Sequence, residues 1–595
     1  MRRRRRLPFG AEVVPGGVRF RLWAPDAARV ELCLATGLGE RVKPMQPSDD
    51  GWYEAMCDEA HAGSRYLYRI DGGLKVPDPA SRFQPDDVAG ASEVVDPLTF
   101  EWTDAEWRGR PWEEAVIYEL HVGTFTEAGT FAGVEERLDY LASLGVTAVE
   151  LMPVADFPGK RGWGYDGVLP FAPDSGYGRP EDLKRLVQAA HARGLMIFLD
   201  VVYNHFGPEG NYLHAYAERF FTDRHHTPWG KAIDFDGPHS RTVREFFVEN
   251  ALYWLREYHF DGLRLDAVHA IMDDSDPSFL TELARTVRAE IGGERHVHLV
   301  LENDDNAARL LGPTLYDAQW NDDAHHVWHV LTTAETGGYY ADYVDHAMDR
   351  LGRVLTEGFA YQGEASAHRG GRARGEVSGH LPPTAFVSFL QNHDQIGNRA
   401  MGERITALAS PEAVRAATAV LLLAPSPPLL FMGQEWAAPQ PFLYFCDFDE
   451  PLAGQVRDGR RREFAFFPEF RDERARERIP DPVQPSTFEA SMLNWADMGV
   501  ALHREWLDYT RNLLALRGRY VVPRLAGARA DGYRQTGERC ILVAWRMGDG
   551  SRLTLHANLG PEPAAALPSP PGAGLFATHD LRGGLPGWSV AWFLS

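Results

Sequence analysis

The chain has 595 residues, of which 44% are apolar and 24% charged, and a formal net charge of −23 at pH 7. That length admits several domains and a large core, and the apolar and charged fractions are those of an ordinary globular protein. The acidic balance excludes nucleic acid and anionic membrane as the main partner, because both require clustered Lys and Arg.

In chain order, the opening "MRRRRRLPFG" is a basic run with no apolar segment behind it, so a secretory signal is not expected there. Arg2 to Arg6 read as a solvated, disordered tail, with a nonspecific anion-binding arm as the lesser alternative. Residues 1–104 then alternate short strand patterns such as "GVRFRLWAP", "RVELCLA", "GWYEAMCDE" and "SRYLYRIDG" with turn signals, which predicts an Ig-like β-sandwich. Its aromatics Trp23, Trp52 and Tyr53 either contact a ligand or pack the core.

From about residue 115 the pattern changes to apolar, β-branched runs alternating with amphipathic helical ones. The strand runs are "VIYELHVG", "AVELMPV", "MIFLDVVYNH", "GLRLDAV", "HLVLEN", "LYDAQWN", "AFVSFLQNHD" and "PLLFMGQEW". Eight strand–helix repeats predict an α/β fold, a (β/α)8 TIM barrel over residues 105–518. The connection after strand three, residues 205–239, is long enough to form a functional loop or subdomain. The segment "DFDEPLAGQVRDGRRREFAFFPEF" reads as irregular surface packing, and residues 519–595 as a small C-terminal β domain.

No window approaches the ~18 apolar residues of a membrane span. Cys33, Cys57, Cys446 and Cys540 are scattered without CxxC spacing, which fits buried thiols in a reducing cytoplasm. The pairs His225–His226 and His325–His326 lack metal-ligand spacing, so neither a metal nor another cofactor is expected.

In a barrel of this kind the chemistry gathers at the C-terminal strand ends. Strand four ends in Arg264 and Asp266, strand five in Glu302, and strand seven in Asn392, His393 and Asp394. A single buried Asp is usually a satisfied structural group, but three acids converging from different strands raise one another's pKa at a cost in stability. With no metal motif and no Ser or Cys nucleophile pattern, that points to glycoside hydrolysis, which needs one ionised and one protonated carboxyl. Arg264 shares a strand face with Asp266 and would hold it ionised, whereas Glu302, near two other acids, would keep its proton.

"DVVYNH" (200–205), "GLRLDAVH" (262–269), "LVLEND" (299–304) and "FLQNHD" (389–394) together resemble the four strand-end signatures of the α-amylase family of glycosidases, in the right order. The resemblance implies that Asp266 is the nucleophile, Glu302 the general acid/base and Asp394 the residue that grips the sugar hydroxyls. It also implies that His205, Arg264 and His393 line the subsite, that Tyr165 of "WGYDG" is an aromatic platform, and that Asp200 and Asn204 support the site. Glu435 of "FMGQEW" reads as structural, and a calcium ion near Asn204 is not assured, since its other ligands cannot be picked out.

The N-terminal stretch "VRFRLWAPDAARVEL" is similar to the module preceding the barrel in branching, debranching and trehalose-releasing members. Secondary stretches, among them 227–255, 319–340, 391–405 and 456–464, are most similar to the trehalose-releasing members. The implied substrate is an α-glucan ending in a trehalose unit (maltooligosyltrehalose), the implied product free trehalose, and the implied functional partner a maltooligosyltrehalose synthase. On the leaving-group side, Trp229 offers a stacking surface, and Asp322 and Asp323 either hold trehalose hydroxyls or cap the following helix. A branching or debranching enzyme and an inactive glucan-binding protein remain the alternatives.

Overall fold

The structure, a computed structural model, describes residues 8–37, 39–565, 572–581 and 584–595. The run Arg2–Arg6, expected to be a solvated tail, lies outside the described residues.

Eight short runs pair as parallel strands: β1 Ile117–Leu120, β2 Ala148–Leu151, β3 Met196–Val201, β4 Gly262–Leu265, β5 His298–Leu301, β6 Ala318–Trp320, β7 Phe386–Val387 and β8 Leu429–Phe431. Their order is β7-β6-β5-β4-β3-β2-β1-β8. The ring closes just outside β7 and β8, where Ser388 N donates to Pro427 O (2.9 Å) and Leu429 N to Ser388 O (2.8 Å). All these strands are buried on both faces, which explains why they read as apolar runs rather than strict alternations. One face fills the barrel with Ile117, Ala148, Met196, Phe198, Val300, Ala318, Trp320, Val387 and Leu429. Gly262 is required there, since a Cβ at that position would meet the Phe198 ring at 2.7 Å and His298 O at 2.8 Å.

Helices α1 Leu138–Leu144, α2 Pro180–His191, α3 Ser240–Glu257, α4 Phe279–Ile291, α5 Asp322–Thr333, α6 Ala347–Thr356, α7 Pro411–Leu423 and α8 Ala501–Leu516 surround the strands. In α2, Pro180 opens the first turn with Glu181 and Asp182 behind it, and Leu183, Leu186, Val187 and Ala190 form the buried stripe. The regular alternation is broken once. Between β5 and β6 only a single 3-10 turn, Ala308–Leu310, replaces a helix, because that short connection contains Gly312 and Pro313. The β6–β7 connection carries two helices, α5 and α6.

The long connection after β3 folds into a hairpin, Phe221–Thr227 with Gly230–Ile233, before α3 begins. The segment expected to be irregular contains a helix, Leu452–Glu463, whose Arg460 donates to Gly397 O (2.7 Å) and Arg399 O (2.9 Å) and so fixes the loop beyond β7. The N-terminal strands form two antiparallel-paired sheets. Their aromatics pack rather than protrude: Trp23 and Tyr53 are buried, and Trp52 lies against Phe9 (5.1 Å between rings) and under the Arg21 guanidinium. At the other end, five antiparallel strands have "CILVAWR" and "RLTLHAN" as neighbours, and Trp592 Nε1 ties them to Ala419 O of α7 at 3.2 Å. The four cysteines are buried and free, and among the described residues no helix is long and apolar enough to cross a membrane.

Candidate active site

Parallel register decides which side chains meet above the apolar barrel filling. Asp200 of β3 is level with Arg264 of β4, and the ladder continues past β4 as Asp266 N donates to Val201 O and Glu302 N to Leu265 O, both at 3.0 Å. Arg264 is only 1% exposed, and its guanidinium carbon lies over the Trp320 ring, 4.1 Å from the centroid. Its Nη1 donates to Asp200 Oδ2 (2.6 Å) and Asp266 Oδ1 (2.9 Å), and its Nη2 to Glu302 Oε2 (2.9 Å). One guanidinium therefore serves three carboxyls, a task its fixed fork suits.

Asp266 and Glu302 keep 12% and 19% of their side chains open, and each accepts from the Arg264 guanidinium. Asn204 Nδ2 donates to both Asp266 Oδ2 and Asp266 O at 2.8 Å. Ala267 adopts a left-handed conformation (φ 40°), uncommon for a residue with a Cβ, and so aims its N–H at Glu302 Oε2 at 2.7 Å. Both of these donors to Glu302 address Oε2.

The two acids are driven apart. Burial raises the Asp266 pKa, but Arg264, Asn204, His205 and Glu302 outweigh it and hold the carboxyl below the ordinary range. For Glu302, burial wins over Arg264, and Asp266, Asp394 and Asp322 add to it, so the carboxyl lies well above its ordinary value. Burial likewise raises Asp394, against the pull of His393 and Arg264. Asp200 is pushed up to about 6 by burial, with Arg264 opposing.

The expected site residues gather here. Tyr165 OH donates to Asp200 Oδ2 at 2.6 Å, and the Tyr165 ring stacks on His393 (5.1 Å, 24°). His393 and Asp394 lie beyond β7, in the first turn of a short helix, His393–Gly397, capped by Asn392, whose side chain accepts from Gln395 N. His205 is half-buried beside Asn204, and Trp229, 51% exposed on the hairpin, stacks on it (4.4 Å, 6°). Asp322 opens α5 at the cleft and accepts from Gln395 Nε2 at 3.1 Å.

Asp323 turns the other way, which corrects the expectation that it holds substrate hydroxyls. It is fully buried, and its carboxylate accepts from Asn306, Ala360 N, Tyr361 N, Tyr343 OH and Arg374. Neighbouring helical residues point about 100° apart, so Asp322 faces the cleft while Asp323 anchors the segments behind α5.

Sequence reasoning missed three partners. Glu119 on β1 accepts from His393 N (3.1 Å) and Nδ1, and so raises the His393 pKa against its burial. Trp320 supports Arg264, and Asn398 Nδ2 donates to Asp394 Oδ1 at 2.6 Å. Glu119 was legible by the reasoning applied to Arg264, being a charged residue inside an apolar strand. Glu435, read as structural, is buried and accepts from Tyr118 and Tyr140.

The residues do not form a cation site at Asn204, whose amide donates to Asp266 and whose Oδ1 faces His205 Nδ1. Among the described residues, only His225, Asp236 and Asp274 bring three ligand atoms within 4.8 Å of one another. Asp236 is already engaged by Arg224, His225 and Asp274 N, so the group reads as an ion-pair cluster.

A parallel barrel whose strand ends set two carboxyls with opposite pKa shifts against one arginine is the arrangement of an α-amylase-class glycoside hydrolase. Residues 95–232 match the α-amylase catalytic-domain model, 8–82 carbohydrate-binding module 48 (isoamylase N-terminal domain), and 528–592 a domain of unknown function, DUF3459. Malto-oligosyltrehalose trehalohydrolase of Deinococcus radiodurans is 46% identical over 516 residues, 86% of this chain and 83% of that one. The chain belongs to the malto-oligosyltrehalose trehalohydrolase family. A crystal structure of a Salmonella typhimurium protein described as an alpha amylase superposes with a TM-score of 0.93 at 44% identity, covering 99% of both chains. By contrast, a 1,4-alpha-glucan branching enzyme of Pseudoalteromonas atlantica aligns at 32% over 45% of this chain and 40% of its own.

Proposed function

We propose that this enzyme hydrolyses the α-1,4 bond next to the terminal trehalose unit of maltooligosyltrehalose, releasing trehalose and a shortened maltooligosaccharide with net retention. The observation that carries the chemistry is the shared Arg264 guanidinium between Asp266 and Glu302, whose proton affinities are driven in opposite directions. Two carboxyls bridged by one guanidinium fit the ~5–5.5 Å spacing of double-displacement enzymes better than the wider spacing of inverting ones. Asp266 attacks the anomeric carbon while Glu302 gives its proton to the departing trehalose oxygen. Glu302 then takes a proton from water, which attacks the same carbon and restores Asp266. Asp394, held by Asn398, grips hydroxyls of the scissile sugar, with Tyr165, His205 and His393 as its walls.

For the leaving group, Trp229 supplies an exposed aromatic face and Asp322 a carboxyl at the cleft. The four buried thiols support a cytoplasmic location, and the substrate chemistry requires an upstream synthase that forms the trehalose end. Incubation with maltooligosyltrehalose tests the reading: free trehalose should appear, and proton NMR should catch the new reducing end first as the α-anomer. Branched product or cleavage of α-1,6 bonds instead would favour a branching or debranching enzyme, and a β-anomer would exclude double displacement.

A further inference from the structure

Glu150 stands on β2 just below the ring of acids, and the reaction above leaves it without a task. Its side chain is 1% exposed, and among the described residues nothing donates to either carboxyl oxygen. Register sets it beside Glu119 of β1 and Phe198 of β3, with Asp200 the next inward residue along β3. The charged groups facing it are Glu119, Asp200 and Arg264. Arg264 is committed to Asp200, Asp266 and Glu302, and Glu119 to His393. An ionised Glu150 would be a buried anion between two others with no donor, a state that burial strongly disfavours. A carboxylic acid at the same place has an O–H to give. Asp200 Oδ1 is buried and lacks a partner among the described residues, although Oδ2 receives both Tyr165 and Arg264.

We propose that Glu150 is a positioning residue of the active site, a neutral carboxylic acid that gives its O–H, through one enclosed water, to Asp200 Oδ1. Asp200 thereby stays ionised and keeps Arg264 aligned on Asp266 and Glu302. The inference rests on the roles proposed for those two acids. Burial beside Glu119 and Asp200 raises the Glu150 pKa well above the carboxylate range, in agreement with the geometry. Asp200, at about 6, is close enough to neutrality for a lost donor to matter.

The test compares wild-type enzyme with Glu150→Gln and Glu150→Met, with Asp266→Asn as control. Infrared difference spectra of wild type against E150Q at pH 7 should show the C=O stretch of a protonated carboxyl. E150Q retains a donor and should keep kcat/KM within about twofold, with both pH limbs in place. E150M should lose about tenfold or more, as supporting-residue changes do, and its acid limb, set by Asp200, should move to higher pH. A purely structural residue would lower thermal stability and leave the limb where it was. An ionised-carboxylate spectrum, or an E150Q profile displaced to lower pH, would overturn the proposal, as would an unmoved limb in E150M. Should E150M fail to fold, the E150Q profile and the infrared band still decide. Trehalose release by D266N would remove Asp266 from the mechanism, while the band would still report the state of Glu150.

Discussion

Replacing Asp322 by Asn tests the electrostatics of the site through stability and catalysis at once. Burial, reinforced by Asp394 and Asp304, raises the Asp322 pKa from 3.8 to about 7, even at the head of α5 where the helix dipole favours a charge. At about 1.36 kcal/mol per unit that shift corresponds to a ceiling of about 4 kcal/mol, and partial exposure at the cleft reduces the working figure to about 2 kcal/mol. The folded pKa is the higher one. The stabilisation is therefore complete below the unfolded value near 4 and is lost as pH climbs through about 7. Asn has no proton to lose, so urea midpoints of D322N and wild type should agree most closely near pH 4 and diverge toward pH 8, with the variant gaining. D322N also removes one of the charges that hold the proton on Glu302, so the basic limb of kcat/KM should fall by about half a unit. A pH-independent stability difference would mean that Asp322 is already ionised at neutral pH, and an unmoved limb would mean that its charge does not help to hold the proton on Glu302.

Asp266→Asn and Glu302→Gln should each lower turnover by at least about 10³-fold while circular dichroism and maltooligosaccharide binding stay close to wild type; near-normal activity in either variant would remove that residue from the reaction. Arg264→Lys cannot address three carboxyls from one planar group, and should cost about 10²-fold in kcat and about 3–5 kcal/mol of stability in a denaturant titration. The kcat/KM profile of the wild type should fall on the acid side near pH 6, where Asp200 protonates, and not at the lower pH where Asp266 does. Trp229→Ala should weaken KM for maltooligosyltrehalose far more than for plain maltooligosaccharide; equal losses on both would count against a trehalose-reading role.

The barrel and its acids were legible because two local signals coincide: apolar runs with the spacing of strands, and charged residues at their C-terminal ends. The same signal marks Glu119 in "IYEL" and Glu150 in "AVEL", whose depth within the strand separates them from the reacting acids but not from the site. What could not be read was anything set by rotation or by distant packing. Asp322 and Asp323 are indistinguishable in sequence, yet one faces the cleft and the other is closed in by five donors. The support of Arg264 by Trp320 and of Asp394 by Asn398 depends on how β6 and the turn beyond β7 are placed. Asn204 follows the family pattern, but only coordinates reveal that its amide is turned toward Asp266.

That one guanidinium touches both reacting acids raises the question of how it can serve opposite roles. Its hydrogen bonds to Asp266 and Glu302 are equal at 2.9 Å, so the difference must come from the other neighbours. Asp266 has the Asn204 amide and His205 beside it, whereas Glu302 looks toward Asp394 and Asp322 as well as Asp266 itself. In the proposed reaction, the bond from Asp266 to the sugar removes the nearest negative charge from Glu302, just as Glu302 has given up its proton. Arg264, relieved of an anionic partner, then favours the Glu302 carboxylate, the form needed to take a proton from water. Release of the sugar restores the Asp266 charge and with it the proton affinity of Glu302. The arginine can therefore remain still through both steps, because the covalent state of Asp266 alternates what Glu302 experiences.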